Sequence, residues 1–158
     1  MDANQFYKQF LEEIAVPMDV IEAAREVRDV LGEDAVGILK GWGLTGCGYF
    51  RAGALATGTQ IAPLNDVDLV AHAGRVRTEW KDNPRQALED ICTAMSAAGH
   101  TCEVGAHAVK VTPSEEDFTA DIVVACEHPE QGLWIPHCPK GAVASWIRTH
   151  PKAHRDLA

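Results

Sequence analysis

The segment Gly53-Ala-Leu-Ala-Thr57-Gly58-Thr59-Gln-Ile61-Ala-Pro-Leu-Asn-Asp66-Val-Asp68-Leu69-Val70 joins a small-residue turn, a loop and the opening of an apolar strand. Side chains two apart on a strand point to one face, so Asp66 and Asp68 are predicted to stand side by side. Two adjacent carboxylates repel each other unless a cation lies between them. Hard divalent ions, Mg²⁺ above all, take such oxygen ligands and keep positions open for substrate phosphates. Val67, Leu69 and Val70 anchor the strand in the core. A third carboxylate on a neighbouring strand would complete a two-metal site. Asp121, within Phe118-Thr-Ala-Asp121-Ile-Val-Val-Ala125, is the acid that suits this role. Buried among Ile122, Val123 and Val124 without a partner it would be costly, and a shared cation removes that cost.

Around this segment the chain reads in three zones. Residues 1–36 are expected to be helical. Asp19 is read there as an N-cap with Glu22 three residues on, Val20, Ala24, Val27 and Leu31 as the buried stripe, and Gly32 as the stop. A glycine-dense stretch follows, from Gly37 to Gly58. It contains no G-x-x-x-x-G-K-[ST], which excludes a P-loop, and no Rossmann pattern after a strand. In the third zone, Asp66 to Ala71 reads as a strand and Asn83 to Ala98 as a helix, with Pro84 in its first turn and Gly99 at its end. Cys102 to Thr112 and Phe118 to Cys126 read as two strands joined by the acidic turn Pro113 to Asp117. The expected fold is α+β, a mixed β-sheet with helices packed mainly on one face.

Composition narrows the function classes. The 158 residues suit one domain and can bury roughly 68–70% of the unfolded surface. With 46% hydrophobic and 23% charged residues, a disordered or fibrous chain is excluded. Fourteen Lys and Arg against 23 Asp and Glu leave a net charge of −9, which disfavours strong non-specific nucleic-acid binding. No apolar run approaches the ~18 residues of a membrane span, and residues Met1 to Phe10 lack a signal layout, so a cytoplasmic protein with no membrane partner is expected. The cysteines (Cys47, Cys92, Cys102, Cys126 and Cys138) form no C-x-x-C pair and read as free thiols. His128, His137, Cys138, His150 and His154 match no zinc-ligand spacing. Trp42, Trp80, Trp134 and Trp146 read as core contacts ahead of base-stacking platforms.

Gly53-Ala54, Gly58-Thr59, Asp66-x-Asp68 and the later Ala120-Asp121-Ile-Val-Val-Ala125 together resemble the nucleotidyltransferases of the DNA polymerase β-like superfamily. The spacing is similar to that of oligoadenylate synthases, cyclic GMP-AMP synthase and their bacterial relatives, the CD-NTases. The minimal antitoxin-type nucleotidyltransferases usually have one residue less before the first Asp. Leu133-Trp-Ile-Pro136 and Trp146 to His154 resemble the segment after the third Asp in bacterial CD-NTases. The resemblance implies an Mg²⁺-dependent transfer of a nucleoside monophosphate from a nucleoside triphosphate to a hydroxyl, with pyrophosphate leaving. Two ions are implied, with Mn²⁺ as a substitute. Asp66 and Asp68 would bind both ions, Asp121 would hold the catalytic one, and Gly53, Ala54 and Thr59 would meet the nucleotide. Apart from the resemblance, Lys110 is read on a strand beside Asp121, as a phosphate contact or else a solvated or ion-paired lysine. The acceptor hydroxyl belongs to a nucleotide, making an oligonucleotide messenger of the kind used in antiviral defence. In the alternatives it belongs to RNA or protein, or the chain is a weakly catalytic nucleotide-binding regulator.

Two departures from the family stand out. Ala54 replaces the usual serine, removing one hydroxyl from the phosphate turn at a cost of about 0.5–1.5 kcal/mol. Family members also continue into a helical second domain, whereas residues 1–158 are expected to form a single nucleotidyltransferase domain.

Overall fold

The computed structural model describes residues 2–52, 66–113, 118–127 and 132–149. In chain order the elements are α1 (Ala3–Ile14), α2 (Met18–Gly41), β1 (Gly48–Ala52), β2 (Asp66–Ala73), a 3₁₀ turn (Thr78–Trp80) and α3 (Pro84–Ala97). They continue with β3 (Thr101–Val104), β4 (Val109–Thr112), β5 (Thr119–Glu127), β6 (Leu133–His137) and β7 (Ser145–Thr149). Among the described residues seven strands form one mixed sheet in the order β1-β2-β5-β4-β3, with β6 joining β5 and β7 joining β6. The β2–β5 pair is parallel and the others are antiparallel. The expected α+β architecture is present. No described helix is long and apolar enough to cross a membrane.

Alternation along the two central strands separates the faces. Val67, Leu69 and Ala71 of β2 and Ala120, Ile122 and Val124 of β5 are fully buried. They meet Ile21, Ala24, Val27, Leu31, Ala35 and Leu39 of α2 and Leu88, Ile91 and Met95 of α3 in one core. Burying a side chain of this size contributes about 1.5–3 kcal/mol, so this layer dominates stability. Trp80 closes one end of the core. Its indole donates to Asp90 at 2.7 Å, and the Trp146 indole donates to the Trp80 carbonyl at 3.1 Å. Trp42 packs edge-on against Trp80, with the Arg77 guanidinium 4.6 Å from the Trp42 ring centre. These three tryptophans are core contacts, as their sequence suggested.

Three local expectations are corrected. The helix runs through Gly32 and ends at Gly41. A Cβ at Gly32 would stand 2.6 Å from the Tyr49 ring, so the glycine admits β1 against α2 and does not terminate the helix. Termination falls to Gly43, at φ 79, where Leu44 N donates to the Leu39 carbonyl and Gly43 N to that of Lys40. The helix also starts two residues earlier than an N-cap at Asp19 implies, at Met18, with Pro17 in the cap position. Asp19 lies in its first turn, where a carboxylate favours the positive end of the helix dipole. Finally, Cys102 to Thr112 is two strands. The Gly105 amide donates to the Ala108 carbonyl at 2.8 Å and folds the segment into the β3–β4 hairpin.

Candidate functional site

Because Val67 and Leu69 are turned toward the helices, Asp68 falls on the opposite face of β2. The same alternation places Asp121 between the buried Ala120 and Ile122 on that face of β5. Register then brings the acids together. Asp68 is paired with Asp121 across the parallel β2–β5 ladder, and Asp66 is paired with Thr119 one step along. Adjacent strands lie about 4.8 Å apart, so the Asp68 and Asp121 carboxylates are immediate neighbours.

The row extends across the sheet. Ala52 flanks Asp68 on β1, Lys110 flanks Asp121 on β4, and Glu103 flanks Lys110 on β3. The β3–β4 end of the row is solvent-accessible, with Lys110 and Glu103 exposed and Asp121 half-buried. One positive charge thus stands between carboxylates, on a face that the helices leave uncovered. Glu103 and Thr119 were passed over in the sequence; the two-residue period of β3 and β5, counted from Lys110 and Asp121, is the signal that finds them.

Of the residues read as site members, Asp68, Asp121 and Lys110 stand in one row, and the Asp66 backbone is paired with Thr119. The Asp66 side chain and residues Gly53, Ala54 and Thr59 lie outside the described residues, as do His128, His150 and His154. Among the described side chains, no three of His, Cys, Asp or Glu converge on one point. Asp68 and Asp121, register partners on adjacent strands, offer hard oxygen donors. That set fits Mg²⁺, which uses one or two protein carboxylates and completes its shell with water and phosphate.

The thiols stand apart from this row. Cys126, at the far end of β5, points into the core, and burial with the neighbouring Cys47 pushes its thiol up to about 12. His107 and His137 stack with ring centres 4.7 Å apart and join the β3–β4 turn to β6; this contact holds the hairpin in place, away from Asp121.

Comparison with known proteins bears on this fold. No family model matches the chain, and no curated protein matches it. Solved structures do. The likeness is one of fold. CdnC of E. coli MS115-1, solved with ATP, superposes with a TM-score of 0.69 at 16% identity, over 99% of this chain and 50% of CdnC. The CD-NTase CdnG of Bradyrhizobium diazoefficiens, in complex with GTP, gives 0.69 at 17% identity, over 91% and 43%. Vibrio cholerae DncV gives 0.62 at 12% identity, over 94% and 57%. The chain therefore spans about half the length of these structures.

Proposed function

We propose that this chain is the catalytic part of a divalent-metal-dependent nucleotidyltransferase of the CD-NTase type. It would move a nucleoside monophosphate from a nucleoside triphosphate to a nucleotide hydroxyl and so build an oligonucleotide messenger. The observation that carries this reading is the in-register pairing of Asp68 with Asp121 on the helix-free face. The fold shared with structures solved with ATP and GTP supports it.

Asp66, Asp68 and Asp121 would hold two Mg²⁺ ions. Bound there, the metal supplies the charge that neutralises a triphosphate and polarises its α-phosphorus. Asp68 and Asp121 fix the position of the reacting groups from two strands of a rigid sheet, which is the main protein contribution to phosphoryl transfer. The acceptor oxygen attacks the α-phosphorus in line, the bond to the bridging oxygen of the β-phosphate breaks, and pyrophosphate leaves. An Asp121 carboxylate oxygen takes the proton lost by the attacking hydroxyl. Lys110, beside Asp121 in the row, offers its ammonium to the triphosphate. Gly53, Ala54 and Thr59 are assigned to the phosphate turn on sequence grounds, with backbone N–H groups as donors.

The test is incubation of the protein with α-labelled nucleoside triphosphates and Mg²⁺, followed by chromatography of small and large products. Small labelled oligonucleotides that disappear with Asp121→Asn, while the circular dichroism spectrum is kept, support the reading. Unchanged product formation by that variant sinks it, and label on a macromolecule moves the acceptor to RNA or protein.

A further inference from the structure

On the helix side of the sheet, the face opposite the carboxylate row, two thiols share one seam. Cys92 lies on α3 and Cys102 on β3; both are free and half-buried. In β3 the residues Cys102 and Val104 turn inward while Thr101 and Glu103 turn out. Cys102 is also paired with the fully buried Val111, which fixes that face toward the helices. From the other side, Cys92 and Ser96 stand one helical turn apart on α3. With Val104, Thr93 and Glu89 they line a surface groove of about 480 Å³. The Cys92 thiol and the Ser96 hydroxyl are the side-chain neighbours that act on the Cys102 thiol.

We propose that Cys92 and Cys102 are a redox site: a reversible disulfide across the α3–β3 seam, formed by a hydroperoxide entering the groove and opened by a dithiol. Cys92 lines the groove and meets the oxidant first. Its thiolate attacks the outer peroxide oxygen, the O–O bond breaks, and the alcohol (or water) leaves with the thiol's proton. Cys92 is then a sulfenic acid. The Cys102 sulfur attacks it, the S–S bond forms, the S–O bond breaks, and hydroxide leaves with the Cys102 proton as water. The two thiols lose two electrons in all and the peroxide gains them. Burial pushes the Cys102 thiol up and the Ser96 hydroxyl works the other way, so Cys102 suits the resolving step. Cys126 also has a thiol neighbour, Cys47, but is fully buried and closed to the oxidant.

The sequence makes the experiment direct. No Lys or Arg lies between Arg85 and Lys110, so trypsin releases one peptide, Gln86 to Lys110, that carries Cys92, Cys102 and no other cysteine. The native chain is treated with excess hydrogen peroxide, denatured, alkylated without reduction and digested. The expected peptide is lighter by two hydrogen atoms, carries no alkyl group, and regains both thiols after dithiothreitol. The variant Cys102→Ser should stop at the sulfenic acid, trapped on Cys92 by dimedone. Alkylation of both Cys92 and Cys102 in the oxidised native chain overturns the proposal. So does a dimedone adduct on native Cys92 as abundant as in Cys102→Ser.

Discussion

Asp121→Asn separates a metal-holding carboxylate from an ordinary strand residue without relying on activity. In the folded chain Asp68 and Asp121 are register partners on adjacent strands. Two unit charges about 5 Å apart repel by roughly 1 kcal/mol in bulk water and 3 kcal/mol at an effective dielectric near 20. Lys110, on the other flank of Asp121, returns up to about 1 kcal/mol of that as a surface pair. Without divalent ions the variant is therefore expected to be more stable than the native chain by about 0–2 kcal/mol. Mg²⁺ acts against that order and, as its concentration rises well above the dissociation constant, reverses it. At ten times its dissociation constant a ligand stabilises the folded state by about 1.4 kcal/mol. For a chain of this size that raises the melting temperature by about 3–6 °C. The assay is a thermal melt of native and variant protein across a Mg²⁺ series, with Ca²⁺ and high NaCl as controls for general screening. The native chain should gain several degrees and the variant almost none, so the two curves cross. An equal Mg²⁺-dependent gain in both would show that Asp121 holds no metal, and the proposed chemistry would fall with it.

Further predictions follow from individual contacts. Gly32→Ala should destabilise the native chain by about 0–2 kcal/mol, because ~1–3 kcal/mol of overpacking against Tyr49 outweighs ~1 kcal/mol of helix propensity. In a Tyr49→Ala background the same change should stabilise, and urea melts showing one sign in both backgrounds would refute the packing account. Lys110→Met is expected to raise KM for the nucleoside triphosphate several-fold with kcat little changed; an unaltered KM takes Lys110 away from the phosphates. A thiol held near 12 instead of the usual 9.0 carries roughly a thousandfold less thiolate near pH 8. Iodoacetamide should therefore modify Cys126 of the folded chain far more slowly than Cys92, as read by mass spectrometry after short exposures; comparable rates would contradict its burial.

Much of this arrangement is legible in the sequence where local rules and global packing agree. The helix Pro84–Ala97 announces itself through Pro84 at its start, Gly99 at its end and an apolar face between them. Strands β2 and β5 follow from short apolar runs interrupted by single acids at the right parity. Features set by distant partners are not readable. Gly32 looks like a helix stop because nothing nearby shows that the Tyr49 ring needs its space. Strand β1 hides in a glycine-rich stretch, since its pairing with β2 and not its own propensity makes it a strand. The β3–β4 hairpin turns on Gly105, an isolated glycine with no second turn residue beside it. As for the site, parity predicts that Asp68 and Asp121 share a face, but their register depends on how the intervening α3 and hairpin carry the chain back to β2.

That parallel ladder has a kinetic corollary. Asp68 and Asp121 are about fifty positions apart in the chain, and contacts of such separation are entropically late in folding, whereas the β3–β4 hairpin and its neighbour β5 can zip up locally. The two acids therefore meet only when the central strands dock. Under the proposed function, a newly made or half-unfolded chain would carry every acidic ligand yet be unable to grip a triphosphate, and nucleotide handling would be confined to molecules that have finished folding.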